Sequence, residues 1–82
     1  MSQEIAETLT KYITNEILKQ PKRSLLPEEK LISSGLIDSF HLVDLSLFIE
    51  DTFGVHIDDT ELNADTFDTL AELESLILQR KA

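Results

Sequence analysis

Residues 38–54 read DSFHLVDLSLFIEDTFG, from Asp38 to Gly54, and this stretch decides the fold. Laid out at about 100° per residue, Leu42, Leu45, Ile49 and Phe53 fall on one narrow stripe. The pattern predicts a helix over 38–53, with Gly54 supplying the position where a helix turns left-handed to end. Phe40 and Leu47 lie on the opposite side, with Asp44 and Asp51 beside them. Val43 sits between the faces, and Phe48 lies on the other flank. The helix is therefore apolar in more places than burial in a small bundle requires. An exposed apolar residue between acids has the character of a docking surface. The plain alternative is that the long loop before this helix covers Phe40 or Phe48.

Upstream, residues 21–37 hold both prolines, one glycine and paired serines, which argue against a regular helix. The same segment carries Leu25, Leu26, Leu31, Ile32, Leu36 and Ile37, side chains expected to lie over the bundle and close its core. Loops of this length in compact domains are either functional or structural straps. Before it, Ile5, Leu9, Tyr12, Ile13 and Ile17 recur at helical spacing and predict a first helix over 2–20. Ser2 suits its cap, Glu4 and Glu7 its positive end and Lys19 its negative end. Pro21 stops it.

Downstream, Val55-His56-Ile57 is short and β-branched. A lone strand has no partner here, so an extended link is expected. Residues 58–63 are expected to make a short helix. Residues 66–79 are expected to make the last one, with Phe67, Leu70, Leu73 and Ile77 facing the core. Asp65 or Thr66 is the expected cap, and Arg80 and Lys81 suit the negative end. The predicted fold class is all-α: three main helices and one short one, with a long loop between the first two. The whole span 1–82 reads as one domain.

Composition narrows the function. Sixteen acidic residues face seven basic ones, for a formal net charge of −9. From Leu31 to Gln79 there is no Lys or Arg, while eleven Asp and Glu fall there. Nucleic acid is a poor partner for such a surface, because phosphates need cations. A basic protein would be drawn to it, although acidity also simply keeps small proteins soluble. Without cysteine there is neither a disulfide framework nor a zinc–thiolate site. No apolar run is long enough to span a bilayer, and the start has no secretion-signal pattern. A cytoplasmic monomer without membrane insertion is the expectation.

Ser39 opens the second helix. It can serve as a cap or first-turn residue, and Asp38 can fill the cap as well. A phosphate ester on Ser39 would lie near unpaired backbone N–H groups at the positive end of the helix dipole. The site therefore suits an anion without any basic side chain.

Gly35-Leu36-Ile37-Asp38-Ser39-Phe40 resembles the Gly-x-x-Asp-Ser-Leu attachment motif of acyl carrier proteins. In that family the motif starts the second helix of an acidic four-helix bundle. That helix ends in Glu-x-x-Phe-Gly before a β-branched link, matched here by Glu50-Asp51-Thr52-Phe53-Gly54 and Val55-His56-Ile57. The resemblance runs on through a short acidic segment to a final helix near Thr66-Phe67. It implies that Ser39 is the modified serine and Asp38 its preceding aspartate. A phosphopantetheinyl transferase would move 4′-phosphopantetheine from coenzyme A to Ser39. The arm's thiol would then carry cargo as a thioester, from an acyl- or aminoacyl-activating ligase to a downstream acyltransferase or synthase. The sulfur belongs to the cofactor, which suits a chain without cysteine. Partner enzymes would meet the second helix at Phe40, His41, Asp44, Leu47, Glu50 and Asp51.

The motif departs from the fatty-acid carriers in reading Asp-Ser-Phe, and His41 stands where they usually have an acid. Asp-Ser-Phe is similar to the motif of D-alanyl carrier proteins and some stand-alone aminoacyl carriers. A specialised aminoacyl carrier and a fatty-acid synthesis carrier both remain open at this point. So does a helical adaptor without cofactor, which only the Asp38-Ser39 pair argues against.

Enzymatic activity is not expected. Ser39 and His41 are two apart on a helix and do not face each other. No Gly-x-Ser-x-Gly elbow is present, and no third residue is evident to orient the histidine. Asp58, Asp59, Glu61 and Asp65 lack the spacing and central glycine of an EF-hand loop, so a solvated acidic segment is expected there. His56 reads as a plain link residue.

Overall fold

The apolar period of the first segment produces a helix that changes its pitch before it ends. The computed structural model describes residues 2–81, with side chains over 4–81. The Ser2 side chain, and with it the expected cap, lies outside the described residues. Helix α1 spans Ser2–Tyr12 and runs on into a π-helical turn, Ile13–Ile17. There the Leu18 N–H donates to the Ile13 carbonyl at 2.8 Å and the Gln20 N–H to Thr14 at 2.7 Å. The buried Thr14 hydroxyl donates to Thr10 O at 2.9 Å, the bond a helical threonine ordinarily makes one turn back, and Ile13 and Ile17 both stay in the core. Lys19, at φ 57°, ends the helix in left-handed backbone, two residues before Pro21 can.

Helix α2 (Ser39–Phe53) and helix α3 (Leu70–Lys81) complete the bundle, with a 3-10 turn at Asp59–Glu61 between them. Among the described residues there is no strand, only an isolated antiparallel bridge between Lys30 and Thr69. The fold is all-helical, of the acyl-carrier kind, as the sequence predicts. Gly54 closes α2 at φ 70°, its N–H donating to the Glu50 carbonyl at 2.9 Å.

Helix directions follow from the contacts. The Tyr12 ring stacks on Phe48 at 4.1 Å between centroids. Ile5 and Thr8 share a hollow of about 300 Å³ with Thr52, Phe53, Leu78 and Lys81. The start of α1 thus meets the ends of α2 and α3, so α1 runs antiparallel to both. Ser39 lies at the opposite end. The core draws on every segment: Leu9, Ile13, Leu31, Leu45, Ile49, Phe67, Leu73 and Ile77 are sealed from solvent. Val55 and Ile57 are buried with exposed His56 between them, so the link after α2 is extended as expected.

Three expectations need correction. The last helix begins at Leu70, not at residue 66, and its cap is Thr69 rather than Asp65 or Thr66. Thr69 Oγ1 accepts the Glu72 N–H at 3.1 Å, and Glu72 Oε1 accepts from the Asp68 and Thr69 N–H groups at 2.8 and 3.2 Å. This reciprocal pair is a capping box. Residues 63–66 instead form a turn around Asn63, whose Oδ1 accepts the Asp65 and Thr66 N–H groups. Leu26 does not help close the core; it is 60% exposed, while Leu25, Leu31 and Ile37 are buried as expected. Phe48 is half-buried, but its cover is Tyr12 of α1 and the edge of Phe53, not the long loop.

The loop is fastened by Asp68. Its Oδ1 accepts the Ile32 and Ser33 N–H groups at 2.8 and 2.9 Å, and its carbonyl accepts the Leu31 N–H at 2.6 Å. Pro27 O adds a bond from the Ala71 N–H at 3.0 Å. The loop is thereby tied to the start of α3, from where Ile37 leads directly into α2.

Candidate functional site

At the start of α2 the chain arrives through Asp38 with extended backbone, φ −87° and ψ 175°. The Asp38 carbonyl accepts the first helical bond, from Leu42 N–H at 3.0 Å. Its Oδ1 accepts the His41 N–H at 2.9 Å. Asp38 therefore performs the capping that serine often performs at such a place. Ser39 becomes the first helical residue instead. Its side chain is exposed, and among the described residues no hydrogen bond engages its hydroxyl. A primary alcohol thus stands in solvent at the helix tip, relieved of structural duty.

The cap also orients a histidine. His41 Nδ1 lies 2.9 Å from Asp38 Oδ1. The sequence expectation that nothing orients this ring is corrected: Asp38 does. The His41 backbone N–H, and behind it the His41 ring and the Phe40 N–H, hold the Asp38 carboxyl below its ordinary range against a smaller opposing effect of desolvation. No hydrogen bond joins Ser39 to His41 among the described residues, so the pair does not form a nucleophile and base.

Below this tip, Phe40, Asp44, Leu47 and Asp51 recur at intervals of four and three along the outer face of α2. Phe40 is 83% exposed, Leu47 56% and Val43 43%. Asp44 and Asp51 are exposed beside them. Glu50 is exposed too, but Glu50 Oε1 meets His56 Nδ1 at 3.3 Å, which turns it toward the link. His56 is thereby more than a plain link residue. Burial, then the charges of Asp44 and Glu16, push the Tyr12 phenol upward from its usual value.

Sequence reasoning placed no weight on Val43, which widens the apolar strip, or on Asp68, which sets the entry of the loop into α2. Val43 was already visible as a residue between two faces. Asp68 carried no local signal, because the groups it binds are 35 and 36 residues away.

Comparison with known proteins supplies the family. The model described as phosphopantetheine attachment site matches residues 7–77. A D-alanyl carrier protein of Bacillus subtilis (strain 168) is 31% identical over 67 residues, 82% of this chain and 80% of that protein. The chain belongs to the phosphopantetheine-binding carrier proteins. Such a carrier is not itself a catalyst, and its cofactor is covalently attached 4′-phosphopantetheine. The residues of this carrier fit the group: a phosphodiester needs one free hydroxyl on an accessible backbone, and the tip of α2 offers it. Among the described residues of the carrier, no helix is long and apolar enough to cross a membrane.

Proposed function

We propose that this chain, as a single domain, is an aminoacyl carrier whose Ser39 bears the 4′-phosphopantetheine arm. The observation that carries the reading is the exposed Ser39 hydroxyl, freed because Asp38 takes the cap. When bound, the arm supplies a thiol that holds cargo as a thioester. The chain's own residues attach, present and recognise. Asp38 fixes the first turn so that the Ser39 Oγ points away from the helix's own bonding. Phe40, Val43 and Leu47 offer an apolar strip for enzymes, and Asp44, Glu50 and Asp51 attract basic residues around it. His41 adjusts the contact nearest the arm.

The aminoacyl cargo rests on two supports, the Asp-Ser-Phe motif and the D-alanyl carrier relative. The partners that follow are a phosphopantetheinyl transferase, an adenylating aminoacyl ligase and a downstream acyltransferase, all meeting a monomer in the cytoplasm.

Intact-mass measurement tests both steps. With coenzyme A and a broad-specificity transferase, the wild type gains one phosphopantetheine and Ser39→Ala gains none. With ATP and a D-alanine-activating ligase, the modified protein then gains one alanyl residue. An unmodified wild type in the presence of active transferase overturns the carrier role on Ser39. Loading by a fatty acyl ligase in place of the aminoacyl one overturns the cargo alone.

A further inference from the structure

We propose that His41, clasped by Asp38, is a positioning residue for the attached arm: its imidazolium is the counter-charge of the phosphodiester on Ser39. The inference rests on Ser39 as the point of attachment. It begins with a charge problem. A phosphodiester there places a negative charge on the neighbour of Asp38, whose own carboxylate is held ionised by its bonds to His41. Asp44 adds another acid one turn on. From Leu31 to Gln79 the chain offers no Lys or Arg to offset them. The cap carboxylate also already uses the His41 N–H, one of the donors a helix tip would otherwise turn to an anion.

His41 does not face the Ser39 hydroxyl itself, but a phosphodiester extends beyond that hydroxyl, and His41 is the one basic side chain in the first turn of α2. Side chains on a helix lean toward its N-terminus. In this case the lean ends in contact, with Nδ1 at 2.9 Å from Asp38 Oδ1. Asp38 thereby fixes which nitrogen faces inward and leaves Nε2 on the side of the ring away from that contact. An added anion at the adjoining residue favours the doubly protonated ring, which carries a positive charge beside both anions. The charged groups facing His41 on its own helix are Asp38 and Asp44. The residues leading into the helix, Ser33, Ser34, Gly35, Leu36 and Ile37, carry no charge, and no ion pair reaches His41 from α1 or α3 among the described residues. The other histidine, His56, lies about 20 Å away along the axis of α2, by the rise of a helix.

The phosphorus of the attached arm reports on the pairing. A phosphodiester has no proton to exchange near neutrality, so its ³¹P resonance moves with pH only through a neighbour. Histidine is the side chain that ordinarily titrates between about pH 5 and 8. Protein modified with the transferase, its added mass confirmed first, is titrated through this range by ³¹P NMR. The expected wild-type profile has an inflection that disappears in His41→Gln and persists in His56→Gln. His41 is on the surface, so the Gln variant keeps its fold, checked by circular dichroism. An independent measurement on the wild type is an NOE between the His41 ring and the first methylene of the arm. A flat wild-type profile, or an inflection that survives His41→Gln, overturns the assignment while leaving the carrier role intact. Failure to gain the arm's mass at all appears before any titration and overturns the carrier role instead.

Discussion

Phe40 follows Ser39 directly and is 83% exposed, an unusual state for a phenylalanine whose burial would contribute about 1.5–3 kcal/mol. Nothing in its own fold claims it. The same holds for Leu47, two turns along on the same face. If these side chains are kept for partners, removing them costs recognition and not stability. Phe40→Ala and Leu47→Ala are each expected to lower kcat/KM with the phosphopantetheinyl transferase by roughly tenfold, the scale of an interface anchor. Their melting temperatures should stay within about 2 °C of wild type, as for surface substitutions generally. Leu45→Ala provides the contrast: a sealed core residue whose loss costs about 2–5 kcal/mol. Equal loss of stability in Phe40→Ala and Leu45→Ala would mean that Phe40 is a structural residue.

At the scale of elements, the last helix shows where a sequence speaks and where it misleads. Asp65 and Thr66 are good capping residues, but they are spent on a turn around Asn63. The cap that works is Thr69, because Glu72 stands three residues later to close the box. Thr69→Ala is expected to cost about 1 kcal/mol in urea unfolding. Thr66→Ala should cost less than half of that, and the reverse order would return the helix start to residue 66. The second helix was readable in full because its stripe, its cap and its terminal glycine all agree. The extended link was readable because Val55 and Ile57 alternate with His56. The π turn in the first segment was not, since a shift from four-residue to five-residue bonding changes no residue type. The covering of Phe48 by Tyr12 also depends on how α1 and α2 pack, which neither period states. The candidate site divides in the same way: the outer strip was legible from the helix period and Ser39 from the motif's resemblance to a carrier family, whereas the clasp of His41 by Asp38 needed the side-chain geometry.

For the whole molecule, the question is how a chain of net charge −9 holds its linkers close. Two acids do so by accepting bonds across the fold. Asp68 binds the long loop, and its hydrogen bonds from Ser33 and then Ile32 keep its carboxyl below the ordinary range. Glu61 binds Arg80 near the end of α3, through both of its oxygens, while Arg80 also donates to the His56 carbonyl at 3.2 Å. Hydrogen bonds from Arg80 come first among the causes that lower Glu61 from 4.5 to about 2, followed by the Asp58 N–H. A lowered carboxyl binds its proton more weakly in the folded chain than in the unfolded one. Its contribution to stability is therefore complete above its ordinary value of 4.5 and is lost as pH falls through about 2. Protonating the unpaired acids acts the other way, by relieving repulsion across the surface. Comparison with Glu61→Gln separates the two effects, since that variant keeps nearly all the repulsion and loses only the titrating clasp. At neutral pH its urea midpoint should lie below that of wild type. The gap should narrow as pH drops below 4.5 and close near pH 2, where wild-type Glu61 is becoming neutral as well. A gap that stays constant from neutral pH to pH 2 would mean that the ionised Glu61–Arg80 pair does not hold the linker, and that Glu61 acts there through its shape alone.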